Sequence, residues 1–358
     1  MSAQSIPAAK PLIGEEERQA VDRVIASGMV IQGPEVAAFE NEFAKLVDGR
    51  HCVAVNSGTS ALHVGMLAAG VGPGDEVIVP SFTFAATANS VALTGATPVF
   101  VDIEPDHFCI DPKAVEAAIT SKTVGVMPVH LYGHAADMDA LQAIADKHKI
   151  GIFEDAAQAH AAKWNGKPVG AFGTYAAFSF YPTKNMTSVE GGMVVTDDEN
   201  FARQVKLLRN QGMERKYENE VVGFNYRMTD VHAAVGRVQL TKLAGWTEQR
   251  QRNAAYLDAN LRGVTIPKVA SQAEHVYHQY TVRTDDRDAM VAKLTEAGIG
   301  TGVYYPIPNH ELPSFGLTLD LPETAKACRE VFSLPVHPSL STDDLERIVT
   351  EVSKAAGL

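Results

Sequence analysis

Cysteine is scarce in this chain. Only Cys52, Cys109 and Cys328 occur in 358 residues, far apart and in no paired spacing. That excludes a disulfide framework and a Cys-x-x-Cys metal or redox motif, and leaves three core thiols suited to a reducing compartment. Positive charge is also short. Lys and Arg total 31 against 43 Asp and Glu, a net charge of −12, which argues against nucleic acid and anionic membranes as partners. No apolar run is long enough to cross a bilayer, and the start, Met1 to Pro7, lacks a basic-then-apolar signal pattern. A cytoplasmic location is expected. The histidines show no metal-ligand spacing, so no metal site is expected, and neither repeats nor low-complexity tracts occur.

What remains is ordinary globular composition, 46% hydrophobic and 21% charged. The length suits a large domain with a smaller one. Helical patterns at 15–27 and 34–46 precede short, apolar, β-branched segments alternating with helical ones: strands at 51–55, 76–80, 98–101, 124–129 and 150–154, with helices at 85–93, 112–119 and 138–148 between them. Such strands belong to a parallel sheet covered on both faces, an α/β doubly wound pattern. Gly95 and Gly151 sit where helices should stop. After Thr196 come a helix at 199–210, a polar loop at 211–223 and a helix at 231–245. The character changes near Trp246. A helix to about Leu261, strands at 275–283 and 301–305, a helix at 287–297 and a last helix capped by Ser341 and Asp344 make a smaller α+β domain. The division expected is 1–245 and 246–358.

The chemistry concentrates in three stretches. Phe178-Ser179-Phe180-Tyr181-Pro182-Thr183-Lys184-Asn185 delivers a lone lysine from an apolar strand into a loop, and Glu190-Gly191-Gly192 opens the next strand. A lysine there can lose water, fall in pKa and act as a nucleophilic amine. Ile152-Phe153-Glu154-Asp155 ends a buried strand with Asp155 at its carboxyl edge. Asn56-Ser57-Gly58-Thr59-Ser60 turns a strand through glycine into a helix whose free N–H groups and hydroxyls suit a phosphate. A lysine, a strand-end carboxylate and a phosphate cradle are what pyridoxal 5′-phosphate (PLP) requires. Each also has a plain reading in isolation: a solvated lysine, a capping aspartate and an ordinary Ser/Thr helix cap.

These blocks, together with Gly72-Pro73-Gly74-Asp75-Glu76-Val77, Pro128-Val129-His130-Leu131-Tyr132-Gly133, Gly223-Phe224-Asn225-Tyr226-Arg227-Met228 and Tyr305-Pro306-Ile307-Pro308, run in one order through nearly the whole chain. In that order they resemble the DegT/DnrJ/EryC1/StrS family of sugar aminotransferases, PLP enzymes of the aspartate-aminotransferase fold type. The resemblance implies a PLP-dependent aminotransferase that carries an amino group, with glutamate as donor, to a keto group of a nucleotide-linked sugar. It implies Lys184 as the lysine bonded to PLP and Asp155 as partner of the pyridinium nitrogen. Gly58, Thr59 and Ser179 would hold the phosphate, Phe84 would stack on the ring, and Gln158 would bond its phenolic oxygen. Asn225 would reach the cofactor of a neighbouring subunit, making a homodimer with shared sites. Arg227, Tyr305 and His310 fall on the substrate side, with Arg227 open also to a surface salt bridge. His107, His130, His134 and His278 read equally as core or surface residues.

One departure stands out. The family often has histidine before the Tyr-Pro pair, and this chain has Tyr304, so no sugar specificity carries over from histidine-bearing relatives. The rivals are a PLP-dependent sugar dehydratase, whose relatives bear histidine in place of the lysine, an amino-cyclitol aminotransferase, and a regulatory homologue that binds PLP without turnover.

Overall fold

The computed structural model describes residues 5–358; the start-of-chain reading at Met1 to Gln4 lies outside them. Seven strands form the central sheet: β1 (His51–Val55), β2 (Glu76–Pro80), β3 (Thr97–Val101), β4 (Thr123–Val126), β5 (Gly151–Asp155), β6 (Tyr175–Ser179) and β7 (Gly192–Thr196). Their order across the sheet is β1-β7-β6-β5-β4-β2-β3. From β3 through β6 every pairing is parallel, and β7 runs antiparallel to both β6 and β1. The antiparallel β7 matters for the site. It lets the chain leave β6 and return at the same carboxyl edge within one short loop, and that loop carries Lys184.

The strands are apolar because both faces are covered. Helices α3 (Gly58–Ala68), α4 (Ala86–Ala92) and α7 (Glu199–Arg209) enclose one core with Val53, Val77, Phe153 and Tyr175. The opposite core gathers Phe39 and Phe43 of α2 (Pro34–Ala44), which follows α1 (Glu15–Ser27), and Val115 of α5 (Pro112–Ala118) with Phe178, Phe180 and Met193. Helix α6 (Met138–His148) stops at Lys149, which takes the left-handed conformation at φ 57°, while Gly151 opens β5. The helix stop expected at Gly151 is thus two residues early, and the side chain of Lys149 tolerates it.

Helix α8 (Asp230–Asn260) is one rod of 31 residues, so the break expected near Trp246 is absent and the expected 245/246 division falls inside it. Its amino-terminal end holds α2. Asp230, fully buried, accepts from the N–H groups of Gly33 at 2.6 Å and Val36 at 3.2 Å, serving as the remote cap that Gly33 itself cannot supply. Its carboxyl-terminal half packs Ala254 and Leu257 into a separate core with Tyr280, Phe332, Leu345 and Ile348.

There the strand β8 (Tyr280–Arg283) pairs antiparallel with β9 (Val331–Leu334), a strand not expected from the sequence. The strand expected at 275–283 is shorter because Tyr277 turns to φ 45° and the N–H groups of Val276 and Gln279 go to Gly133 and Tyr132 instead. The strand expected at 301–305 reduces to a single bridge, Gly302 to Ser333. In the polar loop, Met213–Arg215 and Glu218–Asn219 form a small hairpin. Ser341 and Asp344 do cap the last helix, each side chain accepting from the other's N–H. Among the described residues no helix is long and apolar enough to cross a membrane.

Candidate active site

Three strand ends meet at one cavity of about 420 Å³ at the carboxyl edge of the sheet, the place where open α/β sheets collect ligands. From β1 comes the turn into α3. Ser57 caps that helix by accepting from Ser60 N–H at 3.1 Å, and the helix itself does not use the N–H groups of Gly58 and Thr59. Gly58 lies against Ser179 at the end of β6, so closely that a Cβ on it would stand 2.6 Å from the Ser179 Cβ. Any larger residue would close the gap between the helix terminus and the Ser179 hydroxyl. Gly192, opening β7, approaches the Ser57 carbonyl with the same lack of room. The result is a cradle of N–H groups and hydroxyls of the kind that suits a phosphate.

From β5 comes Asp155. Alternation along the strand points Asp155 into the cavity and Glu154 into the core behind it. Asp155 Oδ2 accepts from the Thr87 hydroxyl at 2.8 Å and Oδ1 from the Ala157 N–H at 3.2 Å. Burial pushes its carboxyl up; Thr87, Ala157 and the charge of Lys184 work against that rise.

Lys184 reaches the same cavity from the loop after β6. Burial lowers its pKa to about 8, with Asp155 opposing. A fraction of free amine is therefore present near neutral pH, as a nucleophile or base needs.

Gln158 and Tyr305 form the far wall. Gln158 Oε1 accepts from the Tyr132 N–H at 2.8 Å, and its Nε2 donates to the Tyr305 hydroxyl at 3.1 Å. Tyr132 sits at φ 58°, an unfavourable conformation for a bulky side chain. It is held there from three directions: by Gln158, by the Gln279 N–H that donates to its carbonyl, and by its own hydroxyl donating to the Tyr304 carbonyl. Phe84 stands at the mouth, 59% exposed, its ring 6.1 Å from that of Tyr305. An aromatic left so open at the mouth of a cavity is placed to cover a flat ligand ring.

Eight of the residues singled out from the sequence therefore line one cavity: Gly58, Thr59, Phe84, Asp155, Gln158, Ser179, Lys184 and Tyr305. Three do not. His310 is buried with Nδ1 2.7 Å from the Ser81 hydroxyl and its ring beside Phe100. Arg227 donates to Asn210 Oδ1 at 2.9 Å, and Asn225 is exposed, its carbonyl 3.5 Å from the Asn56 side-chain amide. Sequence reasoning gave no role to Thr83, Thr87, Tyr132, Glu190 and Gln279, and read His278, which lines the cavity, as core or surface. Of these, only Glu190 carried a signal, its place before the glycine pair.

A cradle for phosphate, a carboxylate for a ring nitrogen, an aromatic cover and a lysine of lowered pKa together fit PLP, and they define a PLP-dependent enzyme of the aminotransferase class. The comparisons with known proteins agree. The chain belongs to the DegT/DnrJ/EryC1/StrS aminotransferase family, whose model matches residues 11–353. It is 44% identical over 349 residues to the dTDP-3-amino-3,4,6-trideoxy-alpha-D-glucose transaminase of Streptomyces venezuelae, covering 95% of this chain and 92% of the relative. It is equally 44% identical over 349 residues to a pleiotropic regulatory protein of Geobacillus stearothermophilus, covering 95% and 94%. The crystal structure of S. venezuelae DesV in complex with a ketimine intermediate superposes with a TM-score of 0.93 at 44% identity, covering 96% of this chain and 95% of that one. The protein is an aminotransferase, and its cofactor is PLP.

Proposed function

We propose that this aminotransferase moves an amino group from L-glutamate to a keto group of a nucleotide-linked sugar, yielding an amino sugar for polysaccharide or glycoside synthesis. The observation that carries the reading is the convergence of Lys184, Asp155 and the Gly58–Thr59 helix terminus on one cavity. A relative named for a nucleotide-linked amino sugar supports the substrate class. Lys184 favours transamination over the dehydratase reading, in which histidine stands there.

When bound, PLP supplies a carbonyl that takes up the donor's nitrogen and a ring that draws electrons from the adjacent C–H bond. The chain supplies the rest. Gly58, Thr59 and Ser179 anchor the phosphate, so the reacting end is presented in one orientation. Asp155 keeps a proton on the ring nitrogen, since an adjacent carboxylate favours the cation. Gln158, fixed by Tyr132, would offer the amide N–H not given to Tyr305 toward the ring's oxygen. Lys184 Nζ takes the proton released from the donor's Cα and returns one to the sugar carbon that gains nitrogen. Phe84 and Tyr305 exclude water from above.

The reading extends to two copies in the cytoplasm sharing their sites. Ile25, Met29, Ile31 and Val189 expose apolar surface, and Asn225 lies outside its own chain's cavity, free to serve another's. A solution mass of one chain by light scattering would refute the pairing.

The primary test is the visible spectrum of the PLP-loaded protein on adding glutamate without sugar. The expected result is replacement of the PLP band by that of pyridoxamine phosphate, with one 2-oxoglutarate released per site. Keto-sugar nucleotides then restore the first band, and a keto-inositol tests the amino-cyclitol alternative. If no common amino acid converts the loaded protein, the reading falls to the regulatory one that the Geobacillus relative's name suggests.

A further inference from the structure

We infer that Thr87 is a positioning residue for the reaction, the donor end of a hydroxyl chain that orients the Asp155 carboxylate toward the ring nitrogen of the cofactor. The inference rests on the proposed role of Asp155.

The geometry is specific. Thr87 is fully buried in α4, and its hydroxyl lies 2.8 Å from Asp155 Oδ2, 68 residues away in sequence. Hydroxyls in helices usually turn back on their own backbone. Two residues nearby do so: Ser90 donates to the Thr87 carbonyl at 2.8 Å and Thr94 to the Val91 carbonyl at 2.7 Å. Thr87 instead directs its one proton at the carboxylate.

A hydroxyl that donates its proton can only accept from its other neighbour. That neighbour is Thr83 Oγ1 at 3.1 Å, so the chain runs from Thr83 to Thr87 to Asp155. Thr83 itself lines the cavity. Each bond polarises the next, and the charged acceptor at the end makes the last one strong.

The carboxylate is then held at both oxygens, Oδ2 by Thr87 and Oδ1 by the Ala157 N–H. Its plane is set, and its remaining lone pairs are left for the cavity. Without Thr87, a buried carboxylate retains only one weak donor at 3.2 Å. It then gains a proton more readily and turns more freely, and both changes weaken its hold on a ring N–H. Thr87 is the largest influence opposing the effect of burial on that carboxyl. The other groups bearing on Asp155 are Lys184, His130, Tyr175 and Tyr305, and the test leaves them in place.

The experiment compares Thr87→Val, Thr87→Ser, Thr83→Val and Asp155→Asn as holoenzymes. It reads the PLP dissociation constant, the pH dependence of the visible band, and kcat and KM separately. T87V keeps the shape of threonine and loses only the hydroxyl. Expected are PLP binding weakened about tenfold or more, the acid limb of the spectral titration moved up in pH, and kcat reduced at least as much with KM within about twofold. T87S restores wild-type values within about threefold, which repacking alone would not predict. T83V shifts the acid limb the same way by less, and it decides the matter if T87V does not fold.

Wild-type PLP affinity and an unmoved acid limb in T87V overturn the inference, as does an unmoved limb in T83V where T87V is lost. D155N separates the two levels. If D155N also leaves affinity and spectrum unchanged, the role of Asp155 itself falls; if D155N alone is impaired, only Thr87 is misassigned.

Discussion

Replacing Lys184 by Ala is expected to abolish transamination, with turnover reduced by about 10⁴-fold or more, while the protein stays folded. The side chain reaches the cavity from the loop between β6 and β7, and its Nζ makes no hydrogen bond or ion pair among the described residues. Its pKa is lowered to about 8 because burial penalises the ammonium. Deleting the side chain removes a group that burial disfavours but also the charge that opposes burial at Asp155, so the apoprotein's melting temperature should stay close to the wild type's. Lys184→Arg should be as inactive as the alanine variant. A guanidinium does not lose its proton at working pH and cannot serve as the free amine. Steady-state turnover, the lysine-dependent visible band of the loaded protein and calorimetry read the three consequences. Turnover within tenfold of wild type in K184A would remove this lysine from the chemistry.

The second large effect is on stability and lies one residue from Asp155. Glu154→Ala should cost about 3–5 kcal/mol of folding stability, and Glu154→Gln less. Glu154 is wholly buried, yet burial is outweighed by His130 and the Gly173 and Gly170 N–H groups, which hold its pKa below the usual carboxylate range. Oε1 accepts from the N–H groups of Phe172 at 2.9 Å and Gly173 at 2.8 Å, and Oε2 from Gly170 at 2.8 Å. His130 completes the set. The Ala136 N–H donates to its Nδ1, which leaves Nε2–H to donate to Glu154 at 3.2 Å. Alanine would leave four buried donors without an acceptor, each costing about 1–3 kcal/mol before the loop relaxes. The amide of glutamine retains one acceptor but sets an NH₂ against N–H donors. Urea unfolding of the apoproteins measures the difference. A loss under about 1 kcal/mol in E154A would mean that the turn at 170–173 stands without this carboxylate.

Glu154 and Asp155 show why part of this site is legible and part is not. Both acids end the same apolar strand; the sequence places Asp155 at its carboxyl edge, and the structure turns Asp155 to the cavity and Glu154 into the core. Which of the two faces the cavity depends on the register of β5 between β4 and β6. The lysine loop, the strand-end carboxylate and the Gly58 turn are readable because each is a local transition between strand and loop or helix that demands unusual residue types. Thr87 and Tyr132 carry no such mark. A threonine in an alanine-rich helix and a tyrosine before a glycine look ordinary until their partners arrive from 68 and 26 residues away.

His310 and the β8–β9 pair make the same point from the other side. The Tyr305-Pro306 block suggested that a histidine five residues on would face substrate, but Ser81 and Phe100 draw its ring into the protein. The strand Val331-Phe332-Ser333-Leu334 is only four residues long, between Glu330 and Pro335, too short for its period to declare itself. It becomes a strand because Tyr280–Arg283 is there to pair with it.

By itself, then, the sequence determined the alternation of strand and helix, and hence a mainly parallel sheet with its site at the carboxyl edge. It also determined the residue types that chemistry at that edge requires. These follow from periodicity and from local backbone demands, which neighbouring residues settle among themselves. Only the tertiary structure decided what holds Asp155 in place and which of the substrate-side residues reach the cavity. Those are contacts between distant segments, and they exist only once the sheet has chosen its strand order and the two cores have closed around it.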